Sequence, residues 1–163
     1  MLLCLVLTGC SSMSDEEEAV ERVKVGDHVP AFTVSMTDGS SQWTFNSNQL
    51  KGETVIVFFN TTCGDCKRDL PLLEQYYQKH QEEEGFQMIA ISREEEDASI
   101  AKFWKENNLT IPYSAQKDRR VYNLFATSII PRIYFCTKEG IVTRIDVEIW
   151  NIMRSHRFFI FWF

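Results

Sequence analysis

Residues 54–77, TVIVFFNTTCGDCKRDLPLLEQYY, decide the fold. They open with Val55-Ile56-Val57-Phe58-Phe59, a short β-branched and aromatic run rich in strand formers. The run breaks at Asn60-Thr61-Thr62, and Cys63 and Cys66 follow with Gly64 and Asp65 between them. Leu70, Leu72, Leu73, Tyr76 and Tyr77 then recur at helical spacing. The cysteines are therefore expected where a buried strand hands over to the N-terminus of a helix. Unpaired N–H groups and the positive end of the helix dipole favour a thiolate there, and the thiolate is the reactive species.

On both sides of this stretch strands and helices alternate. Residues 26–34 read as a turn and a short strand, with Pro30 at its edge. Thr37-Asp38-Gly39-Ser40 is a hairpin turn into a strand around Trp43-Thr44-Phe45, and residues 48–52 read as a helical turn closed by Gly52. The helix after the cysteines is predicted to reach about Glu84 and stop at Gly85, before the strand Phe86-Gln87-Met88-Ile89-Ala90-Ile91. Glu94-Glu95-Glu96-Asp97 opens a second helix, acids in its first turn, with Ile100, Ala101, Phe103 and Trp104 buried and Asn107-Asn108 at its end. A short extended piece at 111–114, a short helix at 118–125 and a hairpin of strands at 132–136 and 141–145 complete the order. This pattern predicts an α/β fold with a central mixed sheet flanked by helices and an N-terminal β-hairpin. Most strands are expected to be parallel, with an antiparallel pair at the end. Trp43, Trp104 and Cys136 are expected in the core.

The 163 residues suffice for one domain with a real core, and the net charge of −6 argues against a nucleic-acid partner. Five cysteines, Cys4, Cys10, Cys63, Cys66 and Cys136, are too unevenly placed for a disulfide framework. The opening MLLCLVLTGC is too short to span a bilayer and resembles the end of a bacterial lipoprotein signal, with Leu7-Thr8-Gly9-Cys10 as the lipobox. That resemblance implies cleavage before Cys10, a lipid on its sulfur, and an extracytoplasmic address in the cell envelope. The polar spacer Ser11-Ser12-Met13-Ser14-Asp15 fits. The lack of any Lys or Arg before Arg22 departs from a signal's positive start, and on this reading the true start is expected upstream of Met1. The alternative is an apolar N-terminus in a cytosolic protein. Residues 1–10 thus read as a signal segment, 11–24 as an acidic flexible tether, and 25–163 as the domain, with an atypical tail after about 146.

From Val25 to Ile145 the chain resembles thioredoxin-fold proteins, in particular the membrane-anchored thiol–disulfide oxidoreductases of the TlpA/ResA-like type. These share a superfamily with the alkyl hydroperoxide reductases. The resemblance rests on Gly26-Asp27-His28-Val29-Pro30-Ala31-Phe32, on the strand from Gly52 to Phe59, and on Cys63-Gly64-Asp65-Cys66-Lys67-Arg68-Asp69-Leu70-Pro71. It rests also on Ile130-Pro131 with the strand after it, and on Lys138-Glu139-Gly140. It implies Cys63 and Cys66 as the redox pair, and no cofactor besides them. Pro131 would be a cis-proline facing the site, the Ile130 backbone beside it holding an extended substrate chain. A glutamate among Glu94 and Glu95 would act as proton relay. Expected partners are protein thiols and disulfides, an upstream membrane or periplasmic electron donor, and the membrane through the lipid. Three departures stand out: Thr62 replaces an aromatic residue, Asp65 replaces a proline, and the tail ends in six consecutive apolar residues instead of an amphipathic helix. Such a tail is expected to wrap onto the sheet or to be a truncated or aberrant terminus.

Thiol–disulfide exchange needs an accessible thiolate and a second thiol to resolve the mixed disulfide. Cys63, at the helix tip, reads as the nucleophile, and Cys66, one turn in, as the resolving thiol. A zinc site lacks a second spaced ligand pair, so no metal is expected, and an inert structural disulfide is the other alternative. An ionised Asp65 is expected to disfavour the neighbouring thiolate and make the couple more reducing, while also serving as a first-turn helix acid. Four acids in a row make a solvated helix start the plainer reading of Glu94 and Glu95. Two further classes remain open. A peroxidase of the same fold would need a Pro-x-x-x-Thr-x-x-Cys setting, which Asn60 and Cys66 do not provide, and a redox-inactive anchored binding module would use neither thiol.

Overall fold

The computed structural model describes residues 20–147. Strand β3 (Thr54–Phe59) runs into helix α1 (Gly64–His80), as the pattern of 54–77 requires. Before it lies a hairpin of β1 (Thr33–Thr37) and β2 (Gln42–Asn46). After it come β4 (Gln87–Ser92), α2 (Asp97–Asn107), β5 (Tyr113–Ser114), a 3-10 turn (Tyr122–Leu124), β6 (Arg132–Cys136) and β7 (Val142–Val147). The strands form one seven-stranded sheet in the order β2-β1-β5-β4-β3-β6-β7. This is the thioredoxin-like α/β architecture. Only the β3–β4 and β4–β5 pairs are parallel, which corrects the expectation of a mostly parallel sheet. The two hairpins are the reason. One joins the sheet where Thr37 faces Tyr113, the other closes on β3 through β6, and both bring antiparallel neighbours.

All six residues of β3 are buried. Because successive side chains point to opposite faces, both faces of the sheet are covered there. Phe58 packs on Tyr122, Phe125 and Tyr134, with ring centroids 5.4, 4.8 and 6.1 Å away. Phe59, on the opposite face, meets Trp104 of α2 at 4.9 Å. On that same face Phe135, opposite Val55, meets Tyr76 of α1 at 6.0 Å. Two successive crossovers stepping the same way along the sheet place both helices on one side. The other side is closed by the 3-10 turn and by Phe32, which meets Phe125 at 5.8 Å.

Several local expectations change. Helix α1 stops at His80, because Glu82-Glu83-Glu84 would crowd the negative end of its dipole, and Gly85 turns the chain at φ 78°. Gly85 lies against Gly52 so closely that a Cβ on Gly52 would sit 2.5 Å from the Gly85 carbonyl oxygen. Residues 48–52 form no helical turn: the Asn46 side chain accepts from Asn48 N at 2.9 Å, a local alternative to helix. Of 118–125 only Tyr122–Leu124 is helical, since Asp118 holds the Arg120 N–H at 2.9 Å. Trp43, expected in the core, is 39 % exposed on the sheet's outermost strand, whereas Trp104 and Cys136 are buried. Residues 20–24, read as the end of the tether, are packed: Val23 is buried and Arg22 N donates to Phe125 O at 2.8 Å. Cys10, the rest of the tether and the tail after 147 lie outside the described residues.

Candidate active site

The β3–α1 handover places Cys63 at the N-cap of α1, with extended backbone (φ −73°, ψ 125°) and its sulfur turned toward the first helical turn. Cys66 N donates to Cys63 Sγ at 3.4 Å, so the sulfur takes the capping role usual for a hydroxyl or carboxylate. From the other side, Cys63 Sγ lies 3.4 Å from the carbonyl oxygen of Ile130, to which the thiol can donate. Cys63 is partly exposed and Cys66 fully buried, and both are free thiols. Burial pushes the Cys66 thiol far up, and the charge of Asp69, one turn further along α1, adds to the shift. One thiol is thus presented and the other held protonated in reserve.

The Ile130–Pro131 peptide bond is cis, as the resemblance implied, and Pro131 leads into β6 beside Cys63. Gly64 and Asp65 form the first turn of α1, and Asp65 pairs with Arg68 on the surface. Thr62 N donates to Asn60 Oδ1 at 2.8 Å, so the residue in the aromatic position serves the loop's own geometry.

The expectation for Glu94 and Glu95 is corrected in part. Neither belongs to the helix, which starts at Asp97 with Glu96 as its N-cap. Glu94 takes a left-handed φ of 58° and stays exposed, 3.9 Å from Arg119. Glu95 is buried, and its carboxylate accepts the Thr61 N–H at 2.7 Å and the Thr61 hydroxyl. Neither is among the groups that shift Cys66, whereas Asp69 is. Glu95 therefore fastens the loop that delivers Cys63. Replacing Glu95 with Ala strands two Thr61 donors and is expected to cost about 2–3 kcal/mol, read as a lower urea midpoint at unchanged m. A loss under about 0.5 kcal/mol would contradict that role.

Asp69 was missed as a site residue because it falls in a run of surface charges, Lys67-Arg68-Asp69. The available signal was its spacing three residues after Cys66, on the face that buries Leu70 and Leu73.

Burial also pushes the Cys136 thiol up from its ordinary 9.0 to about 12. Cys66 and Cys136 both hold their protons more tightly folded than unfolded. Their contribution to stability is therefore complete below pH 9 and is lost as pH rises from there toward 12. The urea midpoint of the reduced protein is expected to be lower at about pH 10.5 than at about pH 8, with a smaller drop for Cys136→Ala. Equal drops for both proteins would contradict the assignment to Cys136.

The model of the AhpC/TSA family matches residues 25–145. The chain belongs to that family. The thiol-disulfide oxidoreductase ResA of Bacillus cereus is 25 % identical over 121 residues, covering 74 % of this chain and 68 % of the relative. ResA of Oceanobacillus iheyensis is 26 % identical over 147 residues, covering 89 % and 74 %. Among solved structures, one from Bacteroides thetaiotaomicron, provisionally described as a protein disulfide isomerase, superposes with a TM-score of 0.70. It is 23 % identical and covers 82 % of this chain and 87 % of that one. Family membership, the named relatives and the helix-capping cysteine pair agree on the activity: the chain is a thiol–disulfide oxidoreductase.

Proposed function

We propose that this protein reduces disulfides in extracytoplasmic proteins, using Cys63 to attack and Cys66 to resolve. The observation that carries the reading is the division of labour in the pair: a partly exposed sulfur capped by a helix N–H beside a buried thiol pushed up in pKa. The Cys63 thiolate attacks one sulfur of a substrate disulfide, the S–S bond breaks, and the other substrate sulfur leaves as a thiolate that takes up a proton. The Cys66 thiol then loses its proton and attacks Cys63 Sγ. The second substrate thiol is released, the two electrons given up by the pair now lie on the reduced substrate, and Cys63 and Cys66 are left oxidised as a disulfide. An upstream membrane or periplasmic dithiol donor would reduce it again. Asp69 is a carboxylate whose charge raises Cys66, and we assign to it, ahead of Glu94 and Glu95, the role of accepting that proton. The pair needs no other cofactor. No helix among the described residues is long and apolar enough to cross a membrane. We assign membrane attachment to a lipid on Cys10, at the end of the Leu7-Thr8-Gly9-Cys10 sequence.

Insulin reduction by catalytic amounts of protein with dithiothreitol, run beside a hydrogen peroxide assay, tests the activity. Dithiol exchange without peroxide consumption is expected. Peroxide consumption alone would mean a peroxidase, and neither activity a binding module. Labelled palmitate recovered on the wild type and absent from Cys10→Ser would support the anchor, and its absence from both would remove it.

A further inference from the structure

Residues 127–131 run past Cys63 with no helix or strand of their own, so side chains hold their carbonyls. The Thr127 carbonyl accepts from Arg119. Those of Ser128 and Ile129 are shared by two groups. Arg132 reaches Ser128 O with Nη2 at 3.0 Å and Ile129 O with Nε at 3.5 Å, and Tyr122 Oη lies within hydrogen-bonding distance of both. The next carbonyl, Ile130, is the one that faces Cys63 Sγ.

Arg132 is 4 % exposed, so its charge needs a partner. That partner is Glu21, 111 residues away in sequence, which binds Arg132 Nη1 with one carboxylate oxygen and the Tyr134 hydroxyl with the other. Glu21 is itself held by the packed N-terminal segment: Glu21 bridges to Ala126, Thr127 N donates to Val20 O at 3.0 Å, and Val23 is buried. A continuous set of contacts therefore links a residue outside the site to the backbone facing the reactive sulfur.

We propose that Glu21 is a positioning residue for the redox site, acting through Arg132 on the Ser128–Ile130 backbone that faces Cys63. The inference rests on the reading of Cys63 as the attacking thiol. The Ile130 carbonyl engages the sulfur from one side and the Cys66 N–H from the other, each at 3.4 Å. Glu21, by holding Arg132 in its fork, keeps the first of these two opposed contacts in place. Loosening the fork releases the sulfur from the Ile130 carbonyl and leaves it freer to attack.

The test uses reduced full-length protein, alkylated with iodoacetamide at about pH 6 and mapped by mass spectrometry, so that Cys63 and Cys66 are read separately. Glu21→Gln removes the charge partner. Arg132→Lys keeps the charge pair but gives up the fork. Val23→Ala loosens the same segment by packing alone. The groups beside the sulfur, Cys66, Asp65, Arg68 and Asp69, are untouched in all three. Cys63 in Glu21→Gln and Arg132→Lys is expected to react about threefold faster than in the wild type. Val23→Ala is expected to react at the wild-type rate even where its thermal midpoint falls as far. Wild-type rates in both Glu21→Gln and Arg132→Lys, or equal acceleration in Val23→Ala, would overturn the proposal. Arg132→Lys alone decides it if Glu21→Gln does not fold. Wild-type labelling at Cys66 instead of Cys63 would overturn the underlying reading and would be visible as such.

Discussion

Cys63→Ser is expected to lower insulin reduction by about 10³-fold or more, because no other sulfur is both capped by a helix N–H and open to solvent among the described residues. Cys136 cannot substitute. It is buried in β6, and its thiol is pushed up to about 12. Cys66→Ser is expected to fail differently. The first attack still occurs, so the enzyme accumulates joined to its substrate, and turnover stops for want of a resolving thiol. Equal steady-state loss with opposite amounts of trapped adduct is the signature that separates the two roles. If Cys63→Ser retained more than about a tenth of wild-type activity, the assignment of the nucleophile would be wrong.

Phe58→Ala carries the largest expected effect on stability. The ring is fully buried in β3 and packs on Tyr122, Phe125 and Tyr134 together. Its removal loses the transfer energy of an aromatic side chain and leaves a cavity between rigid rings that cannot collapse, about 3–5 kcal/mol. Against a total stability of about 5–15 kcal/mol this is a large share, and a fall in the thermal midpoint of about 10–20 °C follows. Tyr122 would lose a packing partner as well, and Tyr122 steadies the Ser128 and Ile129 carbonyls, so some loss of activity should accompany the loss of stability. A cost below about 1 kcal/mol would show that the aromatic cluster does not close this face of the sheet.

The order of strands and helices was legible because the core elements are long or uniformly apolar. Val55–Phe59 and Met88–Ile91 admit little but buried strands, and the leucine spacing after Cys66 admits little but a helix. The cysteines' place at the helix cap followed from that boundary alone. What the chain order hid was pairing. Nothing local says that Thr37 will meet Tyr113, or that β6 will return beside β3 antiparallel, and those two pairings leave only two parallel pairs in the mixed sheet. The buried acids were hidden for a related reason. Glu95 stands among exposed glutamates and is told apart only by Thr61, 34 residues away, while Glu21 is told apart only by Arg132. Trp43 misled in the opposite sense: a tryptophan in a short strand suggests core, but the outermost strand of a sheet leaves one side of its residues in water.

The most direct test of the account is to trap its first intermediate. Cys66→Ser protein, reduced and mixed with a disulfide-bonded peptide, should form a stable mixed disulfide whose mapping places the peptide on Cys63. No adduct, or an adduct on any cysteine other than Cys63, would contradict the account.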